Sequence, residues 1–235
     1  MENLNINRHI SGQFNSELES VRNQVMQMGG LIEKQLGDAL AAMADNDIEL
    51  AQQIIAKDKE VNQFESNVDQ ECSRIIAKRQ PAASDLRLIL TIMKSITELE
   101  RVGDGVVSIA RMVIENHGQV GPSLIGLENM GQIVLKMLHN TLDAFTRLDL
   151  KAAIMAHNQD KKVNRQYESI VRELMTFMME DPRIIPNILK VLAAARAIER
   201  IGDRCKNICE QTLYLVEGVD VRHATEEEIN SFLIE

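Results

Sequence analysis

The sequence predicts an all-α protein built as a tandem repeat of two antiparallel three-helix bundles, and three observations carry that prediction. The composition is aliphatic: aromatic residues make up 3% of the 235 residues, Trp is absent, and there are 12 Met and only 4 Pro. Such a mixture suits packed helices better than sheet. Apolar residues recur at three- and four-residue spacing over long stretches. The second half also repeats the first. Moving it back by 102 positions lays Met130-Gly131 on Met28-Gly29, Leu142 on Leu40, Asp149 on Asp47, Asp160-Lys161 on Asp58-Lys59 and Val163-Asn164 on Val61-Asn62. Later the offset falls to 99, and Glu199-Arg200-Ile201-Gly202-Asp203 lies on Glu100-Arg101-Val102-Gly103-Asp104. A loss of residues between elements that keep their register belongs in a connection.

The first helix is expected from about Phe14 to Ala44, where Leu18, Val21, Val25, Met28, Ile32, Leu36, Ala39 and Met43 trace one apolar stripe. Asp47 is the expected N-cap of a second helix reaching about Ala77, and so short a connection forces a hairpin. Pro81 breaks the pattern, after which Ser84 or Asp85 is expected to cap a third helix to about Asn116. The stretch Gly118 to Gly126, with Pro122, divides the chain into a first bundle, 1–118, and a second bundle with a short C-terminal tail, 119–235. The second bundle repeats the plan: a helix from about Leu127 to Leu148, a second to about Glu180, and a third ending near Gly218, which can take the left-handed C-cap conformation. Thr225-Glu226-Glu227-Glu228 opens a short terminal helix.

Charge and composition exclude several functions. A formal net charge of -9 opposes binding of DNA or RNA, which requires clustered positive charge. No run of 18 apolar residues is present, and the first thirty residues lack a signal-peptide core, so a cytoplasmic location is expected. Cys72, Cys205 and Cys209 read as small buried hydrophobes, since two thiols without a second pair make a poor zinc signature. The Met-rich stretches, including Met26, Met28, Met112, Met175, Met178 and Met179, read as deformable core. The five histidines form no ligand spacing, and no nucleophile sits beside an evident base. Arg79, Arg87 and Arg101 are candidates to meet an anion or a partner's acidic surface, but are expected rather to serve as partners for internal carboxylates.

The repeated acidic block is the candidate site. Glu100 and Asp104, like Glu199 and Asp203, are four residues apart, so each pair stands one helical turn apart on one side. Angular position puts them on the shoulder of the apolar sector formed by Leu88, Ile92, Ile96, Leu99, Val102 and Val106. Such carboxylates either form salt bridges, Glu199 with Arg196 or Lys206 for example, or share a cation. Duplication, shoulder position and the attached Gly103 and Gly202 favour the cation, because a mid-helix glycine costs about 1 kcal/mol and implies a close approach. Asp58 and Asp160 are the candidates to add carboxylates from the neighbouring helix, with Asn62 and Asn164 one turn on. Oxygen-only ligation suits magnesium, calcium, manganese or iron. The Glu-x-x-His pattern of di-iron bundle enzymes is missing.

These residues resemble one family in particular. Phe14-x-x-Glu17-Leu18, Asp58-Lys59-x-Val61-Asn62, the Arg74 to Pro81 stretch running into Ser84-Asp85-Leu86-Arg87, and both Glu-Arg-aliphatic-Gly-Asp blocks are similar to those of the PhoU phosphate-transport regulatory proteins. The resemblance covers nearly the whole chain and implies the same fold of two similar three-helix bundles. It further implies a negative regulator of the bacterial phosphate-starvation response that also restrains phosphate uptake. Such a protein would be a homodimer acting between the ATP-binding subunit of the phosphate ABC transporter and a phosphate-sensing histidine kinase. It would meet membranes only through those partners. The acidic motif would be a metal site, carried here by Glu100, Asp104, Glu199 and Asp203, for iron, zinc, magnesium or manganese. Arg204 stands where the family often has His, which makes the Glu100/Asp104 site the stronger of the two. The expected class is therefore a non-enzymatic adaptor, against a metal-dependent helical-bundle enzyme or a structural dimer whose carboxylates bind nothing.

Overall fold

The computed structural model describes residues 12–116 and 124–233, and all regular structure there is helical. Helices α1 (Gly12–Asp45), α2 (Ile48–Arg79) and α3 (Ala83–Glu115) make the first bundle-like region; α4 (Leu124–Arg147), α5 (Leu150–His157), α6 (Asp160–Glu180) and α7 (Ile185–Glu217) make the second. A last short helix, α8 (Glu226–Ser231), closes the described chain. The expected stripe of α1 is buried from Phe14 to Met43, and in α3 Leu88, Ile89, Ile92, Ile96, Leu99, Val102 and Val106 are all at most 1% exposed. The three cysteines are free and buried, and burial pushes the Cys72 and Cys209 thiols up to about 12.

The repeat extends into its turns. Asn46 takes a positive φ of 55°, Asp47 N–H donates to Ala42 O at 2.9 Å, and the Asp47 side chain accepts from Leu50 N at 2.9 Å. In the second half Leu148 takes 54°, Asp149 N–H donates to Ala144 O at 3.0 Å, and Asp149 accepts from Ala152 N at 3.0 Å. Each of these positions is displaced by the sequence offset of 102. Gly218 closes α7 at φ 78° with its N–H on Tyr214 O, as expected for a left-handed C-cap.

Other expectations are corrected. Neither Ser84 nor Asp85 caps α3: the N-cap is Ala82, without a side-chain bond, and Ala83 enters with φ 49° in a turn closed by Asp85 N–H to Ala82 O. The single helix expected between Asp149 and Glu180 is two, separated at Asn158 and Gln159. Both residues keep right-handed dihedrals, and Gln159 N–H bonds Ala156 O one residue short of the α pattern, so the axis tightens without reversing. Asn158 also donates to Asn230 Oδ1 at 2.8 Å, tying the break to α8. That helix carries the Thr225/Glu228 capping box and buries Ile229 against Ala153, Ile154 and Leu213. Met175 and Met179 are exposed rather than core, while Met28 and Met112 are buried. The expected boundary from Gly118 to Gly126 falls mainly on residues outside those described, and α4 begins at Leu124, before its expected start.

The two halves pack through a local two-fold relation. α1 lies against α4 and α3 against α7, so at both interfaces a helix meets its own repeat counterpart. A Cβ on Gly29 would stand 2.7 Å from Leu142 Cδ2, and a Cβ on Gly131 would collide with Leu40 in the same way. Gly29 and Gly131 are repeat equivalents, as are Leu40 and Leu142, so contact i to j is returned as j to i. At the other interface a Cβ on Gly105 would stand 3.5 Å from Ala197 O, while the equivalent pair, Arg204 and Glu98, forms a 3.3 Å ion pair. One continuous core runs through both regions.

Candidate functional site

The mid-helix glycines answer to close approach of a neighbouring helix. A Cβ on Gly103 would meet Val61 Cγ1 at 3.2 Å and Asp58 Oδ1 at 3.8 Å; one on Gly202 would meet Val163 Cγ1 at 3.3 Å and Asp160 Oδ1 at 3.6 Å. The glycine lets the preceding helix settle onto the acidic block and sets an aspartate over it. The arrangement is the same in both halves. Asn62 donates to Asp58 Oδ2 at 3.4 Å, and Asn164 to Asp160 Oδ2 at 3.0 Å. Thus Asp58 lies near enough to Glu100 and Asp104, and Asp160 to Glu199 and Asp203, for the carboxylates of each set to feel one another's charge. The asparagines act as hydrogen-bond donors to those aspartates.

Electrostatics show how closely the carboxylates feel one another. Burial, then the charge of Asp104, raises the Asp58 carboxyl above its ordinary value. Glu100 is raised by burial, then by Asp104, Glu65 and Asp58. In the second half burial raises both Asp160 and Glu199, and the Asp203 charge raises them further. Glu65 escapes the sequence pattern, because it lies almost two turns beyond Asp58.

The second site is deeper. Asp160 is 5% and Glu199 8% exposed, and Asp160 Oδ1, Asn164 Oδ1 and Glu199 Oε2 are buried without a hydrogen-bond donor among the described residues. Each is an acceptor, so a cation is the kind of group they suit. Protein cations compete there: Arg196 donates to Glu199 Oε1 at 2.8 Å, and Lys206 lowers the Asp160 carboxyl. Arg204 pairs with Glu98 at 3.3 Å, across the α3/α7 contact. No group of three or more His, Cys, Asp or Glu among the described residues is gathered tightly enough to coordinate one ion. The donor set is of the oxygen type that such a cation takes.

The remaining ionisable candidates have partners within the protein. Arg79 holds Glu17 through two bonds of 2.9 and 3.0 Å, Arg101 pairs with Glu98 at 3.6 Å, and Arg87 packs over Gly218. His139 contacts Glu33 at 2.9 Å, and buried His157 stands 3.5 Å from Glu210. His9 and His117 lie outside the described residues. No helix among the described residues is long and apolar enough to cross a membrane.

Comparison with known proteins agrees with this architecture. The PhoU domain family matches residues 25–113 and 127–212, one match in each half. The chain is 55% identical over 235 residues to the phosphate-specific transport system accessory protein PhoU of Serratia marcescens, covering 100% of this chain and 97% of that protein. It is 53% identical over 234 residues to the Escherichia coli (strain K12) protein of the same name, covering 99% and 97%. The crystal structure of PhoU from Pseudomonas aeruginosa superposes with a TM-score of 0.85 at 48% identity, over 88% of this chain and 100% of that one. The phosphate transport system regulatory protein PhoU from Streptococcus pneumoniae gives 0.82 at 33% identity, over 88% and 99%.

Proposed function

The chain belongs to the PhoU family, and from that membership together with its paired acidic sites we propose that it is a negative regulator linking phosphate uptake to the phosphate-starvation response. The family assignment supports a regulatory, non-enzymatic role in phosphate homeostasis. The finer reading is an adaptor, in homodimeric form, that docks on the ATP-binding subunit of the phosphate transporter and on a phosphate-sensing histidine kinase. Its place is the cytoplasm, and its contact with membranes runs through those partners. Residues 1–118 and 119–235 act as its two repeat units.

The observation that carries the cation half of the proposal is the aspartate set over a mid-helix glycine beside a Glu-x-x-x-Asp pair, repeated in both halves. Glu100, Asp104 and Asp58 form one site; Glu199, Asp203 and Asp160 form the other. A divalent or trivalent metal ion there, iron, zinc, magnesium or manganese, neutralises carboxylates that burial and mutual repulsion have already destabilised. The first site is the more open and has fewer protein cations bound to its carboxylates, so it exchanges metal more readily.

Deleting the gene tests the regulatory role. Phosphate-starvation genes are expected to rise in phosphate-rich medium, and unchanged expression would sink the assignment. A pull-down from phosphate-replete cells with wild type and with Glu100, Asp104, Glu199 and Asp203 all changed to Ala then asks whether the acidic sites contribute to partner binding.

A further inference from the structure

The contact of α3 with α7 leaves two grooves, and the repeat relates them. One, of about 640 Å³, contains Asp104, Val107 and Arg111; the other, of about 550 Å³, contains Asp203, Lys206 and Glu210 at the positions 99 residues later. Their charges have diverged. Five guanidinium groups line the first groove, those of Arg101, Arg111, Arg196, Arg200 and Arg204, against the two carboxylates of Asp58 and Asp104. In a chain of net charge -9 this is a local reversal of sign.

The five are not all held by carboxylates. Arg101 and Arg204 share Glu98, and Arg196 holds Glu199 and lies 5.5 Å from the Tyr167 ring centroid. Arg111 and Arg200 form no ion pair with any described carboxylate, although Arg111 is near enough to Asp58, and Arg200 to Glu199, to lower those carboxyls. Arg196, Arg200 and Arg204 follow one another at single turns of α7, spanning about 12 Å, while Arg101 and Arg111 span about 15 Å of α3. A single phosphate reaches only a few of these groups at once. Guanidinium forks match phosphate oxygens in pairs, and a groove of this volume is of small-ligand size rather than a flat protein interface.

We propose that the α3/α7 groove binds an oligophosphate anion, a chain of linked phosphates read by the arginines of both helices. Among the described residues no aromatic ring lines it, so a nucleoside base attached to the chain adds little. The site does not depend on metal at Glu100 and Asp104, and metal-stripped, chelator-free protein is the form to test.

Calorimetric titration with tripolyphosphate decides the question. Wild-type protein is expected to show saturable binding with a dissociation constant below about 1 mM, weakening as salt is raised. Arg111→Gln and Arg200→Gln, which break no ion pair among the described residues, should each weaken it about tenfold while leaving helicity unchanged. Arg172→Gln, at an exposed pair with Glu168, should bind as wild type. Absence of saturable binding, or wild-type affinity in both groove variants, overturns the proposal. ATP binding much tighter than tripolyphosphate, or an oligo-glutamate peptide binding equally well, overturns it too, in favour of a nucleotide or an acidic protein segment.

Discussion

Asp58 Oδ1 lies 3.8 Å from the point a Cβ on Gly103 would occupy, and Asp160 Oδ1 repeats the relation over Gly202 at 3.6 Å. The glycine, the aspartate above it and the Glu-x-x-x-Asp pair therefore form one unit. Helix packing is what brings the third carboxylate to the other two.

Enlarging the glycine tests that unit. Gly103→Ala gains about 1 kcal/mol of helix propensity, but its methyl meets buried Val61 at 3.2 Å, and overpacking costs about 1–3 kcal/mol. A net change in stability of no more than about 2 kcal/mol is expected in denaturant titration, with a weaker cation affinity at that site. Gly202→Ala should match it, since its methyl meets Val163 at 3.3 Å.

The two-fold relation between halves predicts matched penalties at its paired glycines. Gly29→Ala and Gly131→Ala should each destabilise by a matched net amount of about 0–2 kcal/mol, the overpacking against Leu142 and Leu40 offset by about 1 kcal/mol of helix propensity. Leu142→Ala alone should cost about 2–5 kcal/mol. Combined with Gly29→Ala it should cost less than the two single changes added together. Full additivity in thermal and denaturant unfolding would show that the two residues do not compete for one space.

The acidic sites predict a pH dependence of definite sign. Asp58, Glu100, Asp160 and Glu199 are raised above their ordinary values, burial first and neighbouring carboxylates next. Between the ordinary and the raised value the folded state holds more protons than the unfolded one, so stability falls as pH rises through that window. Glu17 and Glu71 work the other way: arginine hydrogen bonds lower them, and their contribution is lost as pH falls below the ordinary value. In metal-free protein, Asp160→Asn with Glu199→Gln should raise the melting temperature at pH 7. The advantage should shrink as the pH approaches the ordinary carboxylate range.

The terminal helix makes a local prediction. Thr225 accepts from Glu228 N–H, and the Glu228 carboxylate accepts from Thr225 N–H, closing a reciprocal cap. Thr225→Ala should cost about 0.5–2 kcal/mol. Hydrogen exchange should accelerate first in α8 and around Asn158, the residue bonded to Asn230.

Much of this architecture is legible in the sequence because its causes are local. The stripes of α1 and α3 place their own buried residues, and Asp47 caps α2 within three residues of chain. Gly103 and Gly202 signal a close approach because a glycine weakens the middle of a long helix unless a neighbour needs the space its side chain would fill. What the sequence conceals depends on residues far apart. The direction of Arg204 is set by Glu98, 106 positions away, so proximity in the chain assigns its charge to the wrong neighbour. The break at Asn158 is tied to Asn230, and the backbone there remains right-handed. The entry to α3 turns at Ala83, one residue before the expected caps. The two-fold packing rests on Gly29 with Leu142 and on Gly131 with Leu40, pairs that a repeat offset aligns but does not put in contact.

The cation proposal stands on each repeat holding an ion between its acidic block and the aspartate lying over its glycine. Metal titration of chelator-stripped protein by calorimetry, with elemental analysis of the dialysed product, tests it most directly. Wild-type protein should bind at two classes of site and melt higher when loaded, each site adding about 2.7 kcal/mol of stability at a hundredfold excess over its dissociation constant. Changing Asp58, Glu100 and Asp104 to their amides should abolish one class, and changing Asp160, Glu199 and Asp203 the other. Metal stoichiometry that is the same in wild type and in both triple variants, or no rise in melting temperature on loading the wild-type protein, would refute it.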